Sequence, residues 1–348
     1  MRCTARVAVV AGCLAAAPAL GAQDASDGSK DLPRQLEALR QQLEAQSYAI
    51  ERLQKKIDDV LWFERVGDLA EVDKVYIPTL PVPKEPTTYG IANERHPFRM
   101  WTYVFVPRGL DRGRKHPLLL LPHGGVHGDF DTYYTHVVRE LIGQGYVVVA
   151  PEYRGSTGYG RAYQQAIDYG GLEVDDVVAA RRWALASYSF CDPGRVGILG
   201  WSHGGLIALF AAFDHPDEFQ AAYAGVPVSD LVARLGYQTD EYRKLFSAPH
   251  HIGKSVGEAV DEYRRRSPVT HVAKLRVPLL VHTTTNDRDV NVIEVQGLIT
   301  ALRAAGKTFE SKVYEDAPGG HSFNRMDSPL ARESRAEVYR FLAKHLGK

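Results

Sequence analysis

The chain has 348 residues, of which 45% are hydrophobic and 24% charged, and its 42 Lys plus Arg balance its 42 Asp plus Glu. This apolar content excludes an extensively disordered or collagen-like chain, and zero net charge without a basic block argues against a nucleic-acid partner. Three cysteines, Cys3, Cys13 and Cys191, are too few for a disulfide framework or a cysteine-rich zinc site.

Residues 1–22 have the pattern of a signal peptide. Arg2 and Arg6 precede an apolar, alanine-rich run from Val7 to Leu20, which is too short to span a bilayer. We expect cleavage near residue 22 and an exported protein, periplasmic or extracellular. The alternative is a lipobox ending at Cys13, which would anchor the protein through a lipid, but the residues after Cys13 remain apolar and favour the ordinary signal.

Residues 31–61 carry an apolar seam with alternating spacings of four and three residues. The pattern lasts about four heptads, interrupted only by Gln46, and predicts a coiled-coil-like helix. Self-association into a homo-oligomer is one interpretation, and packing of the seam against the rest of the same chain is the other. The seam consists of Leu32, Leu36, Leu39, Leu43, Gln46, Ile50, Leu53, Ile57 and Val60.

Residues 62–97 are predicted to be a linker and lead-in, since prolines punctuate them from Pro78 to Pro97. From residue 98 to 348, short apolar runs alternate with helical patterns, which predicts an α/β domain with a mostly parallel, doubly wound sheet. Strands are expected at 100–106, 118–121, 146–150, 195–199, 220–226, 278–282 and 310–314. Helices are expected at 133–142, 174–187, 203–213, 292–305 and 330–346.

The strand predicted at 195–199 runs into Gly200-Trp201-Ser202-His203-Gly204-Gly205, and a helix is predicted to follow. This is a G-x-S-x-G motif between a strand and a helix, the context in which the motif holds a nucleophilic serine on a tight turn. The N terminus of the following helix favours developing negative charge. Ser202 is therefore the candidate nucleophile, although the pentapeptide alone also fits an ordinary glycine-rich turn.

A serine nucleophile needs a base, and an acid that orients the base, in the chain order Ser, Asp or Glu, His. Asp287 and Asp289 follow the strand predicted at 278–282, and either can be the acid. Of the 13 histidines, His321 lies in the glycine-rich loop after the strand predicted at 310–314, which is the position and order expected of the base.

An oxyanion hole requires two backbone amides close to the nucleophile. The amide of His203 follows Ser202 directly in the chain. The second amide is expected in the His123-Gly124-Gly125 turn after an earlier strand, and we prefer Gly125 over Gly124.

The same turn begins a cluster of metal-binding residue types, and a metal site is the alternative interpretation of this segment. The H-G-G turn explains its first histidine better, so we expect no metal and no cofactor. The cluster consists of His123, His127, Asp129 and Asp131.

The chain contains four distinctive short segments: His123-Gly124-Gly125, Tyr153 to Gly160, Gly200 to Gly205, and Gly320-His321-Ser322-Phe323. With these segments the chain resembles the prolyl oligopeptidase family of serine peptidases, over roughly residues 98 to 346. The loop Y-R-G-S-T-G-Y-G at 153–160 is more specific to that family than the serine motif, which all α/β-hydrolases share.

The resemblance implies an α/β-hydrolase fold, and it places the acid at Asp287, within a stretch similar to N-D-x-R-V-P. Thr284, Asp289 and the missing proline depart from the family pattern, so Asp289 stays open as the acid. Residues 229–270 lie where these hydrolases insert a helical cap. The residues before 98 show no pattern of four-stranded blades, so the family's β-propeller is not expected in them.

The resemblance and the residues together predict an exported serine hydrolase that forms an acyl-enzyme on Ser202. His321 would act as general base and then acid, with Asp287 orienting it and the His203 and Gly125 amides binding the oxyanion. The expected substrate is a small peptide or aminoacyl amide, with a small ester as the alternative. A non-enzymatic binding module fits the ordered Ser, Asp and His poorly.

Overall fold

The computed structural model of the protein describes residues 28–80 and 97–347. The chain divides into one unit that ends at Ser47 and a second that runs from Tyr48 to Lys348. The predicted signal peptide, its expected cleavage site and the alternative lipobox at Cys13 all lie outside the described residues, as does most of the proline-rich connection. Within the described part, no helix is both long and apolar enough to cross a membrane.

Eight strands form a single sheet in the second unit, in the order β1-β2-β4-β3-β5-β6-β7-β8. The pairs β1–β2 and β2–β4 are antiparallel, and all other neighbours from β4 to β8 are parallel. The strands are β1 (Ala70–Thr79), β2 (Phe98–Pro107), β3 (His116–Leu120), β4 (Val147–Pro151), β5 (Cys191–Trp201), β6 (Ala221–Gly225), β7 (Leu279–Thr284) and β8 (Glu310–Tyr314).

Ten α-helices accompany these strands among the described residues. They are α1 (Gly28–Val66), α2 (Thr135–Gly143), α3 (Arg161–Gln164), α4 (Leu172–Ser187), α5 (His203–Asp214), α6 (Leu231–Tyr237), α7 (Asp240–Ser247), α8 (Val260–Arg265), α9 (Val292–Ala304) and α10 (Pro329–Leu346). The helices α6, α7 and α8 occupy the predicted insertion between β6 and β7.

Helices cover both faces of the sheet, as the uninterrupted apolar strands predicted. Side chains of α4, α5 and α9 pack in the core on one face, and those of α2, α10 and the end of α1 pack in the core on the other. Strands β4, β6 and β7 are buried along their entire length. The structure therefore confirms the predicted α/β class with a doubly wound, mostly parallel sheet.

The interpretation of residues 62–97 as linker was wrong for its first half. The end of α1 occupies 62–66, and β1 pairs along its full length with β2 at the edge of the sheet. Sequence reasoning missed β1 because only some of its residues are buried, with charged side chains such as Glu71 and Asp73 between them. An edge strand of this kind lacks the continuous apolar run that marks the central strands.

Within the second unit, α1 has two distinct faces. Lys55, Trp62 and Val66 are buried against the α/β domain, where the Trp62 ring stacks on Phe130 with centroids 5.1 Å apart. The seam residues point elsewhere and are 56 to 67% exposed: Ile50, Leu53, Ile57 and Val60. The interpretation in which the seam packs on its own domain is therefore wrong for these four residues, because a different face of the helix is buried.

In the first unit, the described part of α1 carries the remaining leucines of the seam. They are 46 to 57% exposed: Leu32, Leu36, Leu39 and Leu43.

Candidate active site

Ser202 occupies a strained turn between β5 and α5. Its backbone has φ 59° and ψ −120°, in the left-handed half of conformational space that a residue with a side chain rarely adopts. A Cβ atom on Gly200 would lie 2.2 Å from the carbonyl oxygen of Gly204, and one on Gly204 would lie 2.3 Å from that of Pro122. Both flanking glycines are thus required by backbone contacts, as the motif predicted.

His321 and Asp287 form a hydrogen-bonded pair at the carboxyl ends of neighbouring strands. Asp287 follows β7 and His321 follows β8, and the His321 Nδ1 atom lies 2.8 Å from Asp287 Oδ2. The other oxygen of Asp287, Oδ1, accepts the backbone N–H groups of Asp289 and Val290, each at 2.9 Å. The buried carboxylate is therefore held in one orientation by its own turn, with its second oxygen directed at the imidazole.

Asp289 also lies beside His321, but at the other ring nitrogen. Its Oδ2 atom is 3.6 Å from His321 Nε2, and its Oδ1 atom forms an ion pair with Arg234 at 2.8 Å. In a Ser-His-Asp triad the acid binds Nδ1, so that Nε2 can face the serine. The geometry therefore favours Asp287 over Asp289 as the orienting acid.

The structure does not join all three members of the predicted triad. Among the described residues, no hydrogen bond links Ser202 Oγ to His321. Catalytic hydrogen bonds are often long or misaligned without substrate, so the two side chains remain candidates for the same site. Beside His321 there is a cavity of about 620 Å³, lined by Gln238, Asn286, Arg288, Asp289, Gly319, Gly320 and His321.

The predicted oxyanion loop lies against the serine turn. A Cβ atom on Gly124 would be 3.5 Å from Ser202 Cβ. The amide of Gly124 already donates to Tyr134 Oη at 3.1 Å, which leaves Gly125 as the better candidate donor in this turn. Gly125 has φ 79°, a conformation that glycine adopts without strain.

The other predicted donor, the amide of His203, belongs to the first residue of α5. The first N–H groups of a helix have no acceptor within the helix, so this amide is suited to binding an anion.

His123 anchors the oxyanion loop, and two of the residues predicted as its partners in a metal site, Asp129 and Asp131, make other contacts. Its buried ring stacks on Tyr153 with centroids 4.2 Å apart, and its Nε2 atom lies 2.8 Å from Ser156 Oγ. Burial lowers the pKa of His123 to about 3, so the ring is neutral. Asp129 is instead paired with Lys55 at 2.8 Å, and Asp131 caps the short helix that follows it.

Sequence reasoning missed a buried ion pair behind this loop. Lys55 of α1 lies 2.5 Å from Glu152, which directly follows β4. Burial is the largest influence on Glu152 and raises its pKa to about 7, while Lys55 acts in the opposite direction. One indication of this pair was present in the sequence, the position of the charged Glu152 immediately after a buried strand. Nothing in the sequence distinguished Lys55 from the other polar residues of its helix.

The chain matches known proteins over its α/β domain. The model of the prolyl oligopeptidase family matches residues 132–348. The acylamino-acid-releasing enzyme of Arabidopsis thaliana is 27% identical over 264 residues, which are 74% of this chain and 34% of that protein. Dipeptidyl peptidase 8 of Homo sapiens is 35% identical over 226 residues, which are 62% of this chain and 24% of that protein.

Among solved structures, a puromycin-hydrolyzing peptidase of Mycobacterium tuberculosis is 27% identical with a TM-score of 0.62, and the match covers 72% of this chain and 38% of that one. The chain thus spans only about a third or less of the length of these curated relatives. The family match extends over more than half of the chain and includes Ser202, Asp287 and His321. This chain belongs to the prolyl oligopeptidase family, and its mostly parallel sheet with helices on both faces is an α/β-hydrolase fold.

Proposed function

We propose that the protein is a serine peptidase that cleaves peptide or aminoacyl amide bonds through an acyl-enzyme on Ser202. The observation that carries the proposal is the hydrogen bond between His321 and the buried Asp287. They follow β8 and β7 in a sheet whose β5 ends at a strained Ser202. A triad assembled from three strand ends in the order Ser, Asp, His is the arrangement used by α/β-hydrolases.

The proposed reaction begins with attack of Ser202 Oγ on the substrate carbonyl carbon. The imidazole of His321 turns its Nε2 atom to the hydroxyl, accepts the proton, and then transfers it to the departing amine. Asp287 holds the ring by Nδ1 and stabilises its positive charge. Water then attacks the ester on Ser202 in the same manner, with His321 as base, and releases the acid product.

The amides of His203 and Gly125 would bind the oxyanion that forms in both halves of the reaction. The loop that carries Gly125 is held in place by a hydrogen bond, in which Tyr153 Oη donates to the His123 carbonyl at 2.9 Å. Loss of a single oxyanion donor typically costs about 10²- to 10³-fold in kcat.

Amide substrates are proposed because the curated relatives are named as peptide-cleaving enzymes, one releasing acylamino acids and another dipeptides. The test compares an aminoacyl or dipeptidyl anilide with the phenyl ester of the same acyl group. We expect Ser202-dependent cleavage of the anilide, with a Ser202→Ala variant as the matched control. Cleavage of esters alone, with anilide turnover equal to that of the Ser202→Ala variant, would identify an esterase. The absence of both activities would leave only a binding role.

The exposed seam of α1 supports a second proposal, self-association of the helix into a homo-oligomer. Burial of such a stripe between helices removes apolar surface from water at about 25 cal/mol per Å². We expect light scattering to show an oligomer that a Leu39→Asp, Leu43→Asp variant converts to monomer. An Ala38→Asp, Gln41→Asp variant, which adds the same two negative charges at exposed positions outside the seam, is the control. Identical masses for the seam variant and the unaltered protein would reject this proposal.

Export through residues 1–22 is likewise proposed from the sequence pattern alone. Mass measurement of the mature protein is expected to show an N terminus near residue 23. A mature chain that begins with an acylated Cys13 would support the lipid anchor instead, and an intact Met1 would contradict both.

A further inference from the structure

Three histidines from two distant segments meet beside the oxyanion loop. His127 lies two residues after Gly125, and His250 and His251 belong to the insertion between β6 and β7. One ring nitrogen from each histidine lies within 4.8 Å of the corresponding atoms of the other two. The Nε2 atoms of His127 and His251 are 3.0 Å apart.

This spacing is close to that of metal ligands. Zinc binds histidine nitrogens at about 2.0 to 2.1 Å, so two ligands of a tetrahedral zinc ion lie about 3.3 Å apart. The His127 and His251 nitrogens already approach this separation, because they share a hydrogen bond of 3.0 Å. A metal ion would replace the shared proton, which moves to Nδ1 of His251, and His250 has to move farther inward. Three imidazoles with one remaining position for water form a recurrent zinc site in proteins.

The contacts of His127 leave its Nε2 atom able to bind a metal ion. Its Nδ1 atom lies 3.2 Å from the carbonyl oxygen of Gly155, which can only accept, so Nδ1 carries the proton and Nε2 has the lone pair. A hydrogen bond from the second nitrogen to a carbonyl is the usual support of a metal-bound histidine.

His251 is held in place by contacts within the insertion that carries it. It is almost completely buried, and its ring packs against Phe246 with centroids 5.7 Å apart. The turn that carries it is closed by a hydrogen bond from the His251 amide to the Ala248 carbonyl at 2.9 Å. Two of the three ligands are therefore held in place by packing and hydrogen bonds without the ion.

We propose that His127, His250 and His251 form a binding site for a divalent transition metal, Zn²⁺ in particular. The ion would join the oxyanion loop to the inserted helical segment. Neutral imidazole ligands favour zinc, copper or nickel over magnesium or calcium, which prefer oxygen ligands. The site shares no residue with the Asp287–His321 pair, and its test does not require peptidase activity.

Metal binding is measured on the chelator-treated full chain by calorimetric titration with Zn²⁺, and by the visible spectrum of the Co²⁺-loaded protein. We expect one saturable equivalent per chain, a tetrahedral cobalt spectrum and a rise of Tm with zinc, since binding to the folded state alone stabilises it. His250→Gln should weaken zinc binding by more than about tenfold. The same loss is expected from His251→Gln, and the cobalt spectrum of both variants should change.

His271→Gln is the matched control, because His271 lies in the same insertion and contacts the Arg265 carbonyl instead of the cluster. It should bind zinc like the unaltered protein. The proposal is overturned if no saturable site is found, if His250→Gln and His251→Gln both bind zinc with unchanged affinity, or if only His271→Gln loses binding. Circular dichroism of each variant identifies any loss that is due to unfolding. His250→Gln, at a half-buried position, is less expected to unfold than His251→Gln, at a buried one.

Discussion

Lys55 and Glu152 form an ion pair of 2.5 Å in the interior of the protein, with their side chains 3% and 0% exposed. Lys55 also donates to the carbonyl of Phe130 at 2.7 Å. Glu152 Oε2 lies 3.5 Å from the Nε2 atom of His123, at the base of the oxyanion loop. The pair therefore connects the buried face of α1 to the loop that carries Gly125.

Removal of Lys55 alone should destabilise the protein strongly. The variant Lys55→Met leaves Glu152 buried without its partner, a change that costs about 3 to 5 kcal/mol of the free energy of unfolding. Urea unfolding measures this loss. Lys56→Met, at the exposed neighbouring position, is the control and should change stability by less than about 0.5 kcal/mol.

A double variant shows how much of this loss of stability comes from the unpaired carboxylate of Glu152 and how much from the lost packing of Lys55. Lys55→Met combined with Glu152→Gln should recover part of the stability, because the remaining side chain is neutral. Equal stabilities for Lys55→Met and Lys56→Met would show that the pair does not hold α1 in place.

The two aspartates beside His321 should differ sharply in their effect on turnover. Asp287→Asn removes the acceptor at Nδ1 and favours the wrong imidazole tautomer, for which the loss of kcat in serine peptidases is about 10⁴-fold. Asp289→Asn removes a half-exposed carboxylate at the other nitrogen and should cost less than about tenfold in kcat. Steady-state kinetics of both variants on one anilide make the comparison. A larger loss at Asp289 would reverse the assignment of the acid.

Buried histidine makes stability depend on pH. Burial lowers the pKa of His282 from 6.5 to about 4. Between these values the unfolded chain binds the proton and the folded chain does not, so the free energy of unfolding falls as pH falls through this window. We expect this histidine to contribute about 2 kcal/mol to the loss between pH about 7 and about 4.5.

The variant His282→Gln tests this by urea unfolding at the two pH values, with His271→Gln as control. The His282 variant should lose about 2 kcal/mol less than the unaltered protein on acidification, while the control should lose the same amount as the unaltered protein. Parallel losses in all three proteins would exclude His282 as a source of the acid sensitivity.

The close contacts of the serine turn predict a contrast between two glycines that both lie in helices. Gly204→Ala would place Cβ 2.3 Å from the Pro122 carbonyl oxygen and should misfold the turn, abolishing activity. Gly297 in α9 has nothing within 4 Å of the same position. Gly297→Ala should therefore stabilise the protein by about 0.5 to 1 kcal/mol, the difference in helix propensity. Thermal unfolding and anilide turnover measure both variants, and an active, stable Gly204→Ala protein would contradict the contact.

The features that sequence predicted best are those encoded within a short stretch of chain. Apolar runs predicted the central strands, and glycines spaced around Ser202 predicted the turn between β5 and α5. The Asp287–His321 contact was also within reach, because the carboxyl ends of parallel strands lie at one edge of a sheet.

The features that sequence did not predict depend on contacts between distant segments. The seam of α1 was clear, but the buried face is a different one, centred on Lys55 and Trp62, and no periodic pattern marks it. The contact of His127 with His251 spans 124 positions and joins a loop to an insertion whose placement no local signal encodes.

Covalent labelling of Ser202 tests the proposed mechanism most directly. The full chain is treated with a fluorophosphonate, and its intact mass and tryptic peptides are measured beside those of Ser202→Ala and of Ser187→Ala, whose serine is exposed at the end of α4. We predict one probe per chain, bound to Ser202, with labelling absent in Ser202→Ala and retained in Ser187→Ala. Labelling of a folded Ser202→Ala protein at the rate of the unaltered chain would contradict the acyl-enzyme mechanism.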